Sequence, residues 1–146
     1  MYTVILQIHI WTSILFMFVS VIFSFLLIRG LFINAVYSKT FVFLEDVFII
    51  LLYLGLFLGV ALYFLMPANK YEIHSVQEIN HILSLRFWSI EHFSVMLFAV
   101  ILAQIGKVFT TKLKTSRSKY RYALLYYGMA TLITLTSMVF YMLYKG

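Results

Sequence analysis

The chain has 146 residues, 64% of them hydrophobic and 11% charged, with a formal net charge of +6 and a mean hydropathy of +1.00. Soluble domains carry about 25% charged residues, so this composition excludes an ordinary water-soluble domain and points to a protein solvated by lipid. The absence of cysteine excludes disulfides, thiolate metal sites and covalent c-type haem, which needs a C-x-x-C-H run.

A bilayer core takes roughly 20 residues of helix. Four apolar stretches of that order predict spans near 4–28, 47–66, 87–106 and 122–144. The first begins almost at Met1 and has neither the basic n-region nor the small-residue cleavage site of a signal peptide, so it is expected to remain in the mature protein. Pro67 closes the second span. After it, Ile73, Val76, Ile79, Ile82 and Leu83 recur at helical spacing, and Ser75 stands three residues before Glu78 as in a capping box. That pattern predicts a short amphipathic helix lying on the membrane surface between spans 2 and 3. No internal repeat or low-complexity segment divides the chain. The expected fold is all-α, a single integral membrane four-helix bundle over residues 1–146.

Charge sets the expected orientation. The connections between spans 1 and 2 and between spans 3 and 4 share one side and hold eight basic residues: Arg29, Lys39, Lys107, Lys112, Lys114, Arg117, Lys119 and Arg121. The other side holds three: Lys70, Arg86 and Lys145. The positive-inside rule then makes the first side cytoplasmic. Both termini and the 67–86 loop face outward, periplasmic if the membrane is a bacterial inner one. The basic run "KVFTTKLKTSRSKYR" is thereby explained by topology and by contact with anionic headgroups, and no nucleic-acid partner is called for. Glu45 and Asp46 fall at the cytoplasmic mouth of the second span, where they are expected to complement the positive end of that helix.

Two of the four histidines lie inside spans. His9 is about six residues into the first and His92 about five into the third, both counted from the outer end. At ~1.5 Å of rise per residue both rings fall within about 10 Å of the outer boundary. Spans 1 and 3 run parallel, so the two imidazoles share a level, as bis-His axial ligation of a haem requires. Below His9 the inner face carries Ser13, Phe16, Ser20 and Ser24, and below His92 it carries Met96, Ala99, Ala103 and Gly106. Gly55 and Gly59 repeat four apart on span 2, and Ala130, Thr134 and Ser137 line span 4. Small residues let a backbone or a flat ring come close. A haem b held there would send its propionates to the outer surface, within reach of Arg86, while Glu91 would accept a hydrogen bond from a ligand ring. The competing readings are ordinary packing for the two glycines, hydrogen-bonded core histidines, and an Arg86–Glu91 pair in the headgroup region. His74 and His81 fall in the outer loop and are expected to be solvated.

The stretch "RFWSIEHFSVM" also carries a resemblance. It is similar to a group of small bacterial four-helix membrane proteins, common in Bacteroidetes, that go by the name cytochrome b. Members open with Met-Tyr-Thr and a His near position nine, as in "MYTVILQIH" here. Their R-F-x-x-x-E-H run is matched by Arg86, Phe87, Glu91 and His92, and their K-[FY]-R segment and Tyr-Gly pair by Lys119, Tyr120, Arg121, Tyr127 and Gly128. The likeness covers nearly the whole chain. Two departures stand out: the second-span His and Gln of that group are replaced by Tyr53 and Gly55, and its Arg-x-Pro turn by "LTSMVFY".

The function expected from these readings is a small b-type cytochrome with one haem near the outer face. It would use His9 and His92 as axial ligands and exchange electrons with a quinol or a membrane redox partner. The alternative is a cofactor-free accessory or assembly subunit of a larger membrane complex, such as a respiratory one, with aromatic outer faces as partner surfaces. A hydrolase is not expected, since the sequence holds no nucleophile–base pair, Gly-rich phosphate loop or H-E-x-x-H.

Overall fold

Helices that are apolar on every side cannot be oriented by a wet face, so small, flat and polar residues decide how they meet. The computed structural model describes the backbone of residues 1–65 and 76–145, and the side chains of residues 1–65 and 90–143. It holds α1 (Tyr2–Phe32), α2 (Lys39–Leu65), α3 (Val76–Lys112) and α4 (Ser116–Lys145), with no strand among the described residues. Each helix contains a stretch long and apolar enough to cross a bilayer: Tyr2–Phe32, Lys39–Leu65, Ile90–Lys112 and Ser116–Leu143. That is the mark of a multi-pass membrane protein. α1 packs on α2 and α4, and α3 on α4 and α2, so antiparallel neighbours close into a ring. The surface helix expected between spans 2 and 3 falls partly on residues 66–75, outside the described residues. From Val76 onward the backbone runs unbroken into the third span.

Two short connections at one end hold the ring in register. α1 stops where Asn34 takes a positive φ of 51°, a backbone that Asn tolerates better than most residues. The N–H of Ala35 then bonds the Gly30 carbonyl at 3.0 Å, the six-residue closure of a Schellman cap. At the other connection Thr115 caps α4, its Oγ1 accepting the Ser118 N–H at 3.3 Å. The two connections touch each other: the Tyr37 N–H donates to Ser116 Oγ at 3.0 Å, and the Tyr120 hydroxyl donates to the Val36 carbonyl at 3.2 Å.

Inside the ring every helix offers a seam with three- and four-residue steps. These seams are Phe16, Ser20, Phe23, Leu27 and Gly30 on α1, and Glu45, Phe48, Leu52 and Gly55 on α2. α3 adds Met96, Ala99, Ala103 and Gly106, and α4 Tyr120, Ala123, Tyr127, Ala130, Thr134 and Ser137. Large flat residues on α1, α2 and α4 face small ones on α3, so the seams interdigitate. Phe16, Phe48, Phe23 and Tyr127 make a run of ring contacts with centroids 5.0–6.1 Å apart. The closest approaches lie at Gly30 and Gly106. A Cβ on Gly30 would overlap the Tyr120 ring, and one on Gly106 would lie 2.9 Å from the Cβ of Tyr126. Gly55 differs, because a Cβ there meets nothing within 4 Å. It opens onto space.

Candidate functional site

That space holds the two membrane histidines. His9 on α1 and His92 on α3 point inward at the same level, their ring centroids 6.5 Å apart and their planes at 87°. α2 makes room for them: Gly55 lines the cavity between the rings, and the Cβ position of Gly59 lies 3.6 Å from His9 Cε1. One ring is tethered: His92 Nδ1 lies 2.9 Å from Ser137 Oγ on α4. His9 Nδ1 is buried and has no hydrogen-bond partner among the described residues.

The cavity between the rings is about 20 Å³, room for a single water molecule. Phe16, Leu51 and Leu52 close it from below, and Met96, Thr134 and Met138 from the α3–α4 side. A cofactor the size of a porphyrin needs a pocket of roughly 300 Å³ or more. As packed, these residues do not fit a haem, because the space between the rings is far smaller than a porphyrin. A single atom is another matter. A metal-bound imidazole keeps its nitrogen about 2.0–2.1 Å from the metal and its ring centre about 3.2 Å away, so two imidazoles flanking one ion sit about 6.4 Å apart. The rings of this pair lie 6.5 Å apart. His92 also has one nitrogen tied to a protein group, Ser137, the arrangement that orients metal-bound histidines.

Of the residues singled out in the sequence, the structure thus joins His9, His92, Gly55 and Gly59. Glu91 is exposed, and the group that meets His92 Nδ1 is Ser137. The side chains of Arg86 and His81, and all of His74, lie outside the described residues. Tyr53 is turned away from the cavity, its hydroxyl accepting from Gln104 Nε2 at 3.1 Å. Among the described residues no three His, Cys, Asp or Glu side chains form a group that could hold a metal. Besides the imidazoles the cavity is lined by the thioethers of Met96 and Met138 and the hydroxyl residues Thr12, Ser13 and Thr134. Sequence reading placed Met96 and Ser137 on the right faces and did not see their chemistry. Met138 it did not consider.

A second polar cluster sits at the opposite end of the bundle. Glu45 is 1% exposed, with its Oε2 2.9 Å from Lys107 Nζ and its Oε1 accepting the Tyr37 hydroxyl. Lys107 also reaches the exposed Asp46 at 2.8 Å. Burial, and then the Glu45 carboxylate, push the Tyr37 hydroxyl above its ordinary range, so it stays a donor. This corrects the reading of Glu45 as a first-turn residue: α2 starts at Lys39 and has no acidic residue in its first turn. The carboxylate is a buried link between α2 and α3.

No protein-family model, no curated protein and no solved structure matches the chain.

Proposed function

We propose that the protein is a small membrane metalloprotein that carries electrons, with its metal bound by His9 and His92 near the end of the bundle that bears both termini. The observation that carries this reading is the pair of inward-facing imidazoles, 6.5 Å apart across a one-atom cavity. An intramembrane histidine with a buried ring nitrogen that has no partner among the described residues is costly to keep, and a metal ion relieves that cost. The positive-inside distribution supports an outward-facing site in a bacterial inner membrane, with a quinol or a membrane redox protein as exchange partner. Haem b in the same place would require α1 and α3 to part, since the present packing excludes the porphyrin.

The test is the absorption spectrum and metal content of the intact protein purified from its own membrane, oxidised and then reduced with dithionite. One metal per chain, lost in His9→Ala and in His92→Ala, supports the reading. Reducible Soret and α bands would identify the metal as haem iron. A colourless, metal-free chain overturns the proposal. A specific observation then favours the cofactor-free accessory subunit: His92 already has Ser137 as partner, and one water suffices to fill the cavity.

A further inference from the structure

We propose that the His9–His92 cavity binds a soft monovalent metal ion of the copper(I) class, held by the two imidazoles with the thioether sulfurs of Met96 and Met138. This rests on the metal-site reading of the same cavity and names its occupant.

The first argument is the donor set. His9, His92, Met96 and Met138 all line one cavity. Met96 stands one helical turn from His92 on α3, on the same face, and Met138 follows the Ser137 that meets His92. Thioethers are soft, polarisable ligands, and proteins use them to select copper(I) over the harder divalent ions. A Met beside a core cavity is more often a filler of irregular space than a ligand. What separates this pair from fillers is the buried Nδ1 of His9, a residue lining the same cavity, left without a partner among the described residues.

The second argument is charge. Among the described residues no carboxylate lines the cavity, the sequence has no cysteine, and Glu91, next to His92 in the chain, is exposed. Taking an ion out of water without an anionic ligand is expensive, and the cost grows steeply with its charge. Four neutral donors in an apolar bundle therefore suit a single positive charge and oppose a double one. The third argument is shape. Imidazoles at the spacing of a near-linear N–metal–N unit suit a closed-shell ion that accepts low coordination numbers, with the sulfurs closing the sides.

Chelator-stripped full-length protein in detergent micelles is titrated anaerobically with copper(I) against a competing copper(I) chelator, and in parallel with silver(I), zinc(II) and hemin. The expected result is one copper(I) or silver(I) per chain, with Met96→Leu and Met138→Leu each weakening binding by at least about tenfold. Unfolding midpoints should stay unchanged, because Leu keeps the volume. His9→Ala should abolish binding. Copper(I) binding untouched by either Met variant, or zinc(II) or hemin bound more tightly, overturns the copper assignment and leaves the metal-site reading standing. A chain that takes up none of the four probes overturns both.

Discussion

Replacing Lys107 with Met tests the buried link at the loop end of the bundle. Met retains most of the aliphatic stem and removes the cation that faces Glu45 at 2.9 Å. At an effective dielectric constant of about 20, two unit charges at that separation attract by about 6 kcal/mol before desolvation is subtracted. Lys107 is 25% exposed, so solvent already screens part of this attraction. Breaking a buried pair by removing one partner costs about 3–5 kcal/mol, because the remaining charge is left uncompensated. Tyr37 continues to donate to the carboxylate, so the low end applies and Lys107→Met should lose about 3 kcal/mol. The companion change Glu45→Gln removes the stranded charge and should restore about 2 kcal/mol of that loss in the double variant. Asp46→Asn, at a 54% exposed partner, should stay within about 0.5 kcal/mol of wild type. Reversible unfolding in mixed detergent–SDS micelles, followed by far-ultraviolet circular dichroism, measures all four proteins. A Lys107→Met protein within about 0.5 kcal/mol of wild type, or a double variant no better than the single one, would refute the claim that the Glu45–Lys107 pair is a stabilising link between α2 and α3.

Glycine substitutions should separate close approach from open space. Gly30→Ala and Gly106→Ala, whose new Cβ atoms would press on Tyr120 and Tyr126, should each cost about 1–3 kcal/mol. Gly55→Ala meets nothing within 4 Å and should be neutral or gain up to about 1 kcal/mol in the same unfolding assay. Tyr127→Phe removes a buried hydroxyl that has no partner among the described residues and should be neutral or stabilising, whereas Tyr120→Phe loses the bond to the Val36 carbonyl and should cost about 0.5–1.5 kcal/mol. The Tyr37 hydroxyl has its pKa raised in the folded state, so its contribution is complete below the unfolded value of about 10 and fades as pH rises beyond it. The stability difference between wild type and Tyr37→Phe should therefore be flat through neutral pH and shrink in alkali. Ser137→Ala frees His92 Nδ1 and should weaken metal binding about 10–100-fold with the ring still in place, as read by the chelator titration.

These outcomes bear on what a membrane sequence discloses. Depth along the normal is legible because each helix rises by a fixed step and the apolar run marks the boundary; that is how His9 and His92 could be set at one level from spacing alone. Helix ends are less legible. The apolar run of α2 begins near residue 47, while the helix begins at Lys39, since a polar first turn can be helical outside the hydrocarbon. The shift of two turns carries Glu45 from a solvated mouth to a buried pair. Radial position is the least legible. Gly55 and Gly59 have the spacing of a close-packed face, yet the tight approaches fall at Gly30 and Gly106, because whether a glycine meets a neighbour depends on the partner's side chain, here the ring of Tyr120 and the Cβ of Tyr126. The same holds for the space between the histidines. Equal depth says that two rings are able to meet, but the width of the gap is set by Phe16, Leu52 and Met96, which have the same apolar signature whether they wall a wide pocket or fill it. In lipid every face of a helix is greasy, so only the polar atoms break the symmetry, and it is the bare Nδ1 of His9, together with the tether at Ser137, that sets this cavity apart from packing.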